Sequence, residues 1–161
     1  MFDLTTLDKS VVYLALYDNK ERWDIGAKII KKATNSSYSH CELLIGDWSY
    51  SSSIPDGGVR RDRAISVYKH SENWTMIPLL WANKEAIINF FEFTNDQPYG
   101  WPGLVLGQVF NIRIDGVGYF CSEWVMAALM SGLRVTLNAQ QYSPEDAKSF
   151  VLAMNKVYAV R

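Results

Sequence analysis

The chain has 161 residues, 48% hydrophobic and 14% aromatic, and a formal net charge of −1. That length suits one domain with one sizeable core, and the composition excludes a disordered chain. A charge so close to zero gives no global reason to expect nucleic acid or an anionic membrane as a partner.

Two cysteines, and an acidic start from Met1 to Asp8 with no basic residue leading into an apolar run, predict a soluble protein of a reducing, cytoplasmic compartment. No uninterrupted apolar stretch has the length of a membrane span.

In chain order, Val11 to Tyr17 is a continuous β-prone apolar run and predicts a buried strand. From about Arg22 to Lys32, Trp23, Ala27 and Ile30 share one helical face beside Ile25 and Ile29, which predicts a short helix with Lys28, Lys31 and Lys32 as a solvated face near its end. A loop over Ala33 to Ser37 leads into a second strand, Ser39 to Ile45. Gly46-Asp47 then reads as a two-residue hairpin turn into Trp48 to Ile54. With Ile45 and Trp48 flanking that turn, Ser51 falls opposite Glu42 and Ser53 opposite His40. Pro55 to Gly58 turns the chain again. Val59 to Tyr68, with Arg60, Arg61 and Arg63 among apolar residues, predicts an exposed edge segment rather than a phosphate site, with a place at the rim of a cleft as the alternative.

Trp74 to Leu80 predicts another strand, placed at an edge or strand end by Pro78. Asn83 caps a helix whose buried stripe is Ile87, Phe90 and Phe91. Asn95 to Gly107 is a loop rich in turn residues and aromatics, in which Tyr99 and Trp101 either wall a cleft or pack on the core. Gly116 and Gly118 make a flexible entry to a helix running from about Cys121, with Gly132 placed to stop it. After an irregular stretch from Leu133 to Gln141, Ser143-Pro144-Glu145-Asp146 predicts a capped helix carrying Ala147, Phe150, Val151 and Met154. Val157 to Val160 is expected to close the sheet. The absence of repeats, low-complexity tracts and linkers predicts a single domain over residues 1–161.

Cys121 carries the chemistry. A thiol at a helix start meets unpaired backbone N–H groups and the positive end of the helix dipole, which favour a thiolate and an oxyanion. The competing reading is a small buried residue on an apolar helix. A nucleophile needs a base, and the chain has two histidines, His40 and His70. His40 starts an apolar strand where a polar ring is out of place without a partner, whereas His70 lies in a polar surface stretch, so His40 is the preferred base. Strand alternation then turns Cys41 to the face opposite His40, as a buried bystander with no disulfide to Cys121. A zinc site is disfavoured because no close cysteine pair exists, and no cofactor or metal is expected. Glu42, on the same strand face as His40, is one candidate for the group that orients the imidazole. Glu123, in the first helical turn, reads as structural because a carboxylate there opposes a thiolate.

The order of these motifs resembles the permuted branch of the NlpC-type papain-like cysteine hydrolases. The residues that carry the likeness are Tyr38-Ser39-His40 with Glu42-Leu43, Ser51-Ser52-Ser53 leading to Asp56-Gly57-Gly58, Pro98-Tyr99-Gly100-Trp101, Phe120-Cys121-Ser122-Glu123 and Ser143-Pro144. The histidine strand precedes the cysteine helix, as in the permuted branch. The resemblance implies an α+β, papain-like fold with an antiparallel sheet packed against the cysteine-bearing helix. It also implies hydrolysis of an amide through a cysteinyl acyl-enzyme, with Cys121 as nucleophile and His40 as base. Its third polar residue, on the strand after the histidine, maps onto Ser53, which leaves Ser53 and Glu42 as alternatives. Relatives include peptidases and amidases acting on cell-wall peptides, which implies a peptide or amide substrate, and acyltransferases acting on lipids. Small members among phage proteins imply virion association as a further setting.

Two other classes compete with a peptidase or amidase. A lipid acyltransferase or thioesterase on the same fold predicts a long apolar groove to Cys121. A non-catalytic binding protein predicts His40 and Cys121 pointing apart, or a cleft sealed by Tyr99 and Trp101.

Overall fold

The structure, a computed structural model, describes residues 3–18, 36–100, 118–133, 135, 138–139 and 142–159. The helix predicted from Arg22 to Lys32, Trp101, and most of the stretch from Leu133 to Gln141 lie outside the described residues.

Five strands form one sheet: β1 (Val12–Tyr17), β2 (His40–Ile45), β3 (Trp48–Ser53), β4 (Gly58–Arg63) and β5 (Trp74–Leu79), in the order β4-β3-β2-β1-β5. Every neighbouring pair is antiparallel. The interior strand β1 is apolar throughout. Val12 to Leu16 is buried without interruption because β1 has a core on each side: Leu14 and Leu16 pack with the helices, while Tyr13 and Ala15 pack on the far face. Each fully buried leucine contributes about 1.5–3 kcal/mol. Pro78, which cannot donate to a ladder, lies on the edge strand β5, as predicted. The β2–β3 hairpin has the predicted register, Ile45 opposite Trp48, with Gly46 at φ +60° in the turn.

Helix α1 (Ala64–Val67) and the 3-10 turn Leu4–Thr6 cover one face; α2 (Lys84–Thr94), α3 (Cys121–Leu133) and α4 (Pro144–Ala159) cover the other. The molecule is thus a mixed α+β structure built on a five-stranded antiparallel sheet, with α3 packed on β2 and β3. Asn83 caps α2 by accepting from the Ala86 N–H at 3.0 Å. Ser143 and Asp146 form a reciprocal capping box at the start of α4, with bonds of 2.9 and 3.2 Å. The indole N–H of Trp124, fully buried on α3, donates to Thr94 Oγ1 at 2.9 Å and fixes α3 on α2.

Three local expectations are corrected. Val157 to Ala159 continues α4 instead of closing the sheet: no Gly or Pro interrupts the helix after Pro144, and Tyr158, one turn beyond Met154, stacks on Trp81. Gly132 lies inside α3 and does not end it. A Cβ there would stand 2.9 Å from Asn83 Cβ, so the glycine serves close approach of α2 and α3. Gly118 is a fixed turn, with φ +78° and Pro98 O only 1.9 Å from where a Cβ would sit. The close contact lets residues 98–100 bridge to 118–120 through Gly100 N–H to Tyr119 O at 2.9 Å and Tyr119 N–H to Pro98 O at 3.1 Å.

Candidate active site

Cys121 is the first residue of α3. The turn at Gly118 and the bond from Ser52 Oγ to Tyr119 O, 2.5 Å, pin the chain immediately before it to β3. Glu123 accepts from the Phe120 N–H at 3.3 Å, which closes the helix start from within; its predicted structural role takes this form. The thiol of Cys121 is buried and points onto the face of β2 that carries Cys41 and Leu43.

His40, the first residue of β2, turns its Nε2 to Glu42 Oε1 at 2.8 Å, and its ring lies edge-on to Trp74 with centroids 6.4 Å apart. It also interacts with the Cys121 thiol. Nε2 is the ring nitrogen engaged by Glu42. Burial of the ring opposes its charge, but the Cys121 thiolate and then Glu42 outweigh that cost and raise the imidazole from 6.5 to about 9. His70 is far more exposed, 78% against 20% for the His40 side chain, and pairs with Glu72 on the surface.

Of the two candidates for the third group, Glu42 is the one hydrogen-bonded to His40. The ladder between β2 and β3 pairs Leu43 with Tyr50 as its last rung toward His40, and no hydrogen bond joins Ser53 to His40 among the described residues. Glu42 is 1% exposed and would be costly to ionise alone, yet it is saturated with donors. Oε1 accepts from His40 and from Arg60 Nη2 at 2.5 Å; Oε2 accepts from the Ser49 hydroxyl and, at 3.4 Å, from Tyr68. Burial pushes this carboxyl up, but the His40 hydrogen bond and the Arg60 charge more than offset it and hold Glu42 at about 2, below its ordinary 4.5.

Cys41 is not a bystander. Alternation does place it on the face opposite Glu42, but that is the face α3 packs on, so its thiol meets the thiol of Cys121. Both cysteines are free and buried. Burial and the neighbouring thiolate push Cys41 up, so it stays protonated and donates to Cys121. That hydrogen bond, working against burial and joined by the charge of His40, holds Cys121 well below the ordinary thiol range. Both shifts favour a thiolate at Cys121 and an imidazolium at His40.

Tyr99 completes the surroundings. The bridge to Tyr119 brings it to the start of α3, where its ring packs on Phe120 and its hydroxyl interacts with the Cys121 backbone N–H. Burial and then the Cys121 thiolate keep the phenol protonated. A cavity of about 300 Å³ lined by Leu4, Tyr13, Leu44 and Ala64 is on the sheet face opposite Cys121, the face that also carries Glu42.

The sequence reading missed Arg60, which it placed on an exposed edge; its side chain is only 15% exposed and ends on Glu42. A signal existed: a carboxylate in an apolar strand requires a cation, and Ser51, predicted opposite Glu42, pairs with Arg60 in β4. Among the described residues no helix is long and apolar enough to cross a membrane, and no group of three His, Cys, Asp or Glu side chains is arranged to hold a metal ion. No protein-family model matches the chain, and no curated protein matches it.

Proposed function

We propose that the protein is a cysteine hydrolase of papain-like, permuted NlpC-type architecture, acting on an amide bond with Cys121 as nucleophile, His40 as acid and base, and Glu42 as the group that orients His40. The observation that carries this reading is His40, whose Nε2 is 2.8 Å from Glu42 while the ring interacts with the thiol at the first residue of α3. The peptides of cell walls are the substrate class that the family resemblance implies.

In the reaction, Cys121 Sγ attacks the carbonyl carbon and the oxyanion draws on the Cys121 backbone N–H and the protonated Tyr99 hydroxyl. His40 gives its proton to the leaving amine as the C–N bond breaks, leaving a thioester. Water, losing a proton to His40, then attacks the thioester, and the acid departs as Cys121 recovers its thiolate. The alternative, a non-catalytic binding protein, draws on the burial of Cys121, 2% exposed, beneath Tyr99.

Alkylation of the thiols across pH separates the two. For a hydrolase, a fast-reacting thiol appears well below pH 9, vanishes in Cys121→Ser and slows by about 10-fold or more in His40→Ala. Slow reaction of both cysteines, unaltered by His40→Ala, would hand the lead to the binding reading.

A further inference from the structure

Arg60 stands apart from the other basic residues of β4. Arg61 and Arg63 lie over the ring of Trp48 at 4.7 and 4.2 Å and are exposed. Arg60 instead runs inward along the sheet, its Nε held by Asp56 at 3.0 Å and Asp62 at 3.1 Å and its Nη2 on Glu42. It binds the same carboxylate oxygen as His40. A guanidinium so placed does two things: it keeps Glu42 ionised in a buried site, and it sets a fixed positive charge beside the imidazole.

We propose that Arg60 is a positioning residue that, through Glu42, sets the proton affinity of the Cys121–His40 pair. This deepens the hydrolase reading and rests on it. With Arg60 present, the four groups Cys121, His40, Glu42 and Arg60 carry one negative, one positive, one negative and one positive charge, which sum to zero. Without it the cluster carries a net negative charge, so both the thiolate and the neutral imidazole become harder to form. Among the described residues, the other ionisable groups facing the cluster are Tyr17 from β1, opposite His40, Cys41 from β2, Tyr68 after α1, Tyr99 and Glu123 at the start of α3, and Asp56 and Asp62 on Arg60 itself. Each of these is neutral or negative, so Arg60 is the fixed cation of the cluster among the described residues.

The experiment follows His40 by imidazole NMR and Cys121 by alkylation, each across pH, in the whole chain. Arg60→Gln should move both titrations upward by about one pH unit. Arg60→Lys should restore them. Asp62→Asn, at a half-exposed side chain, frees more of the guanidinium charge for Glu42 and should move both downward; this holds the inference to a test even where Arg60→Gln does not fold. In a Glu42→Gln background, Arg60→Gln should add less than a third of its single effect. If His40 titrates unchanged or lower in Arg60→Gln, or if Asp62→Asn moves the pair upward, Arg60 is structural only. If the wild-type thiol itself reacts as an ordinary one, the hydrolase reading fails first, and that outcome is told apart by the wild type alone.

Discussion

At the scale of single residues, the site is a chain of hydrogen bonds in which every link moves the charge of the next. Cys41 is the clearest case, because a second thiol next to a nucleophile is usually considered for oxidation, whereas here burial keeps it protonated and makes it a donor. It follows that Cys41→Ala should shift the onset of Cys121 alkylation to higher pH while leaving the reacting residue the same. Cys41→Ser, which keeps an O–H in roughly the same place, should recover most of that shift. Mass mapping of the alkylated peptide checks both, and an unmoved onset in Cys41→Ala would remove Cys41 from the site. Alternation from His40 placed Cys41 on the correct strand face, but which face the cysteine helix packs on was not legible. That depends on how α3 docks, a long-range contact with no local signal.

At the scale of elements, the parts with strong local codes were legible and the parts set by close approach were not. The two-residue turn at Gly46-Asp47, the Asn83 cap and the Ser143–Asp146 box each act within four residues, and each has the form the sequence predicts. Gly132 reads the same way as a helix stop in sequence, since glycine is common past a helix end. Its actual reason is Asn83 on another helix. Ala at this position offers about 1 kcal/mol of helix propensity. Its Cβ at 2.9 Å from Asn83 Cβ would, however, displace the residue that caps α2, and overpacking of this kind costs about 1–3 kcal/mol. Gly132→Ala should therefore lower stability, and Gly132→Val should lower it further, as measured by denaturant unfolding. A stabilised Gly132→Ala would mean that the helices can separate at no cost.

At the scale of the molecule, the sheet joins the candidate site to stability, because Glu42 belongs to both. It sits in the central strand β2, and its four donors come from β2, β3, β4 and the residue after α1, so its charge ties the strands to one another as well as to His40. The carboxyl is at about 2 in the folded chain against 4.5 for the ordinary group. A depressed carboxyl stabilises the fold fully above the unfolded value and loses that contribution as pH falls toward the folded one. The wild type should thus hold its unfolding midpoint down to about pH 4.5 and lose it progressively toward about pH 2. Glu42→Gln, which keeps the shape but cannot accept the same charge-assisted bonds, should be less stable at pH 7. Removing one partner from a buried ion pair costs about 3–5 kcal/mol. The gap between wild type and Glu42→Gln should narrow as the pH is lowered through that window, since the protonated wild-type side chain then resembles the amide. Parallel melting curves, with the gap constant from pH 7 to pH 2, would mean that Glu42 is not ionised in the fold, and neither the orientation of His40 nor the role of Arg60 would survive that result.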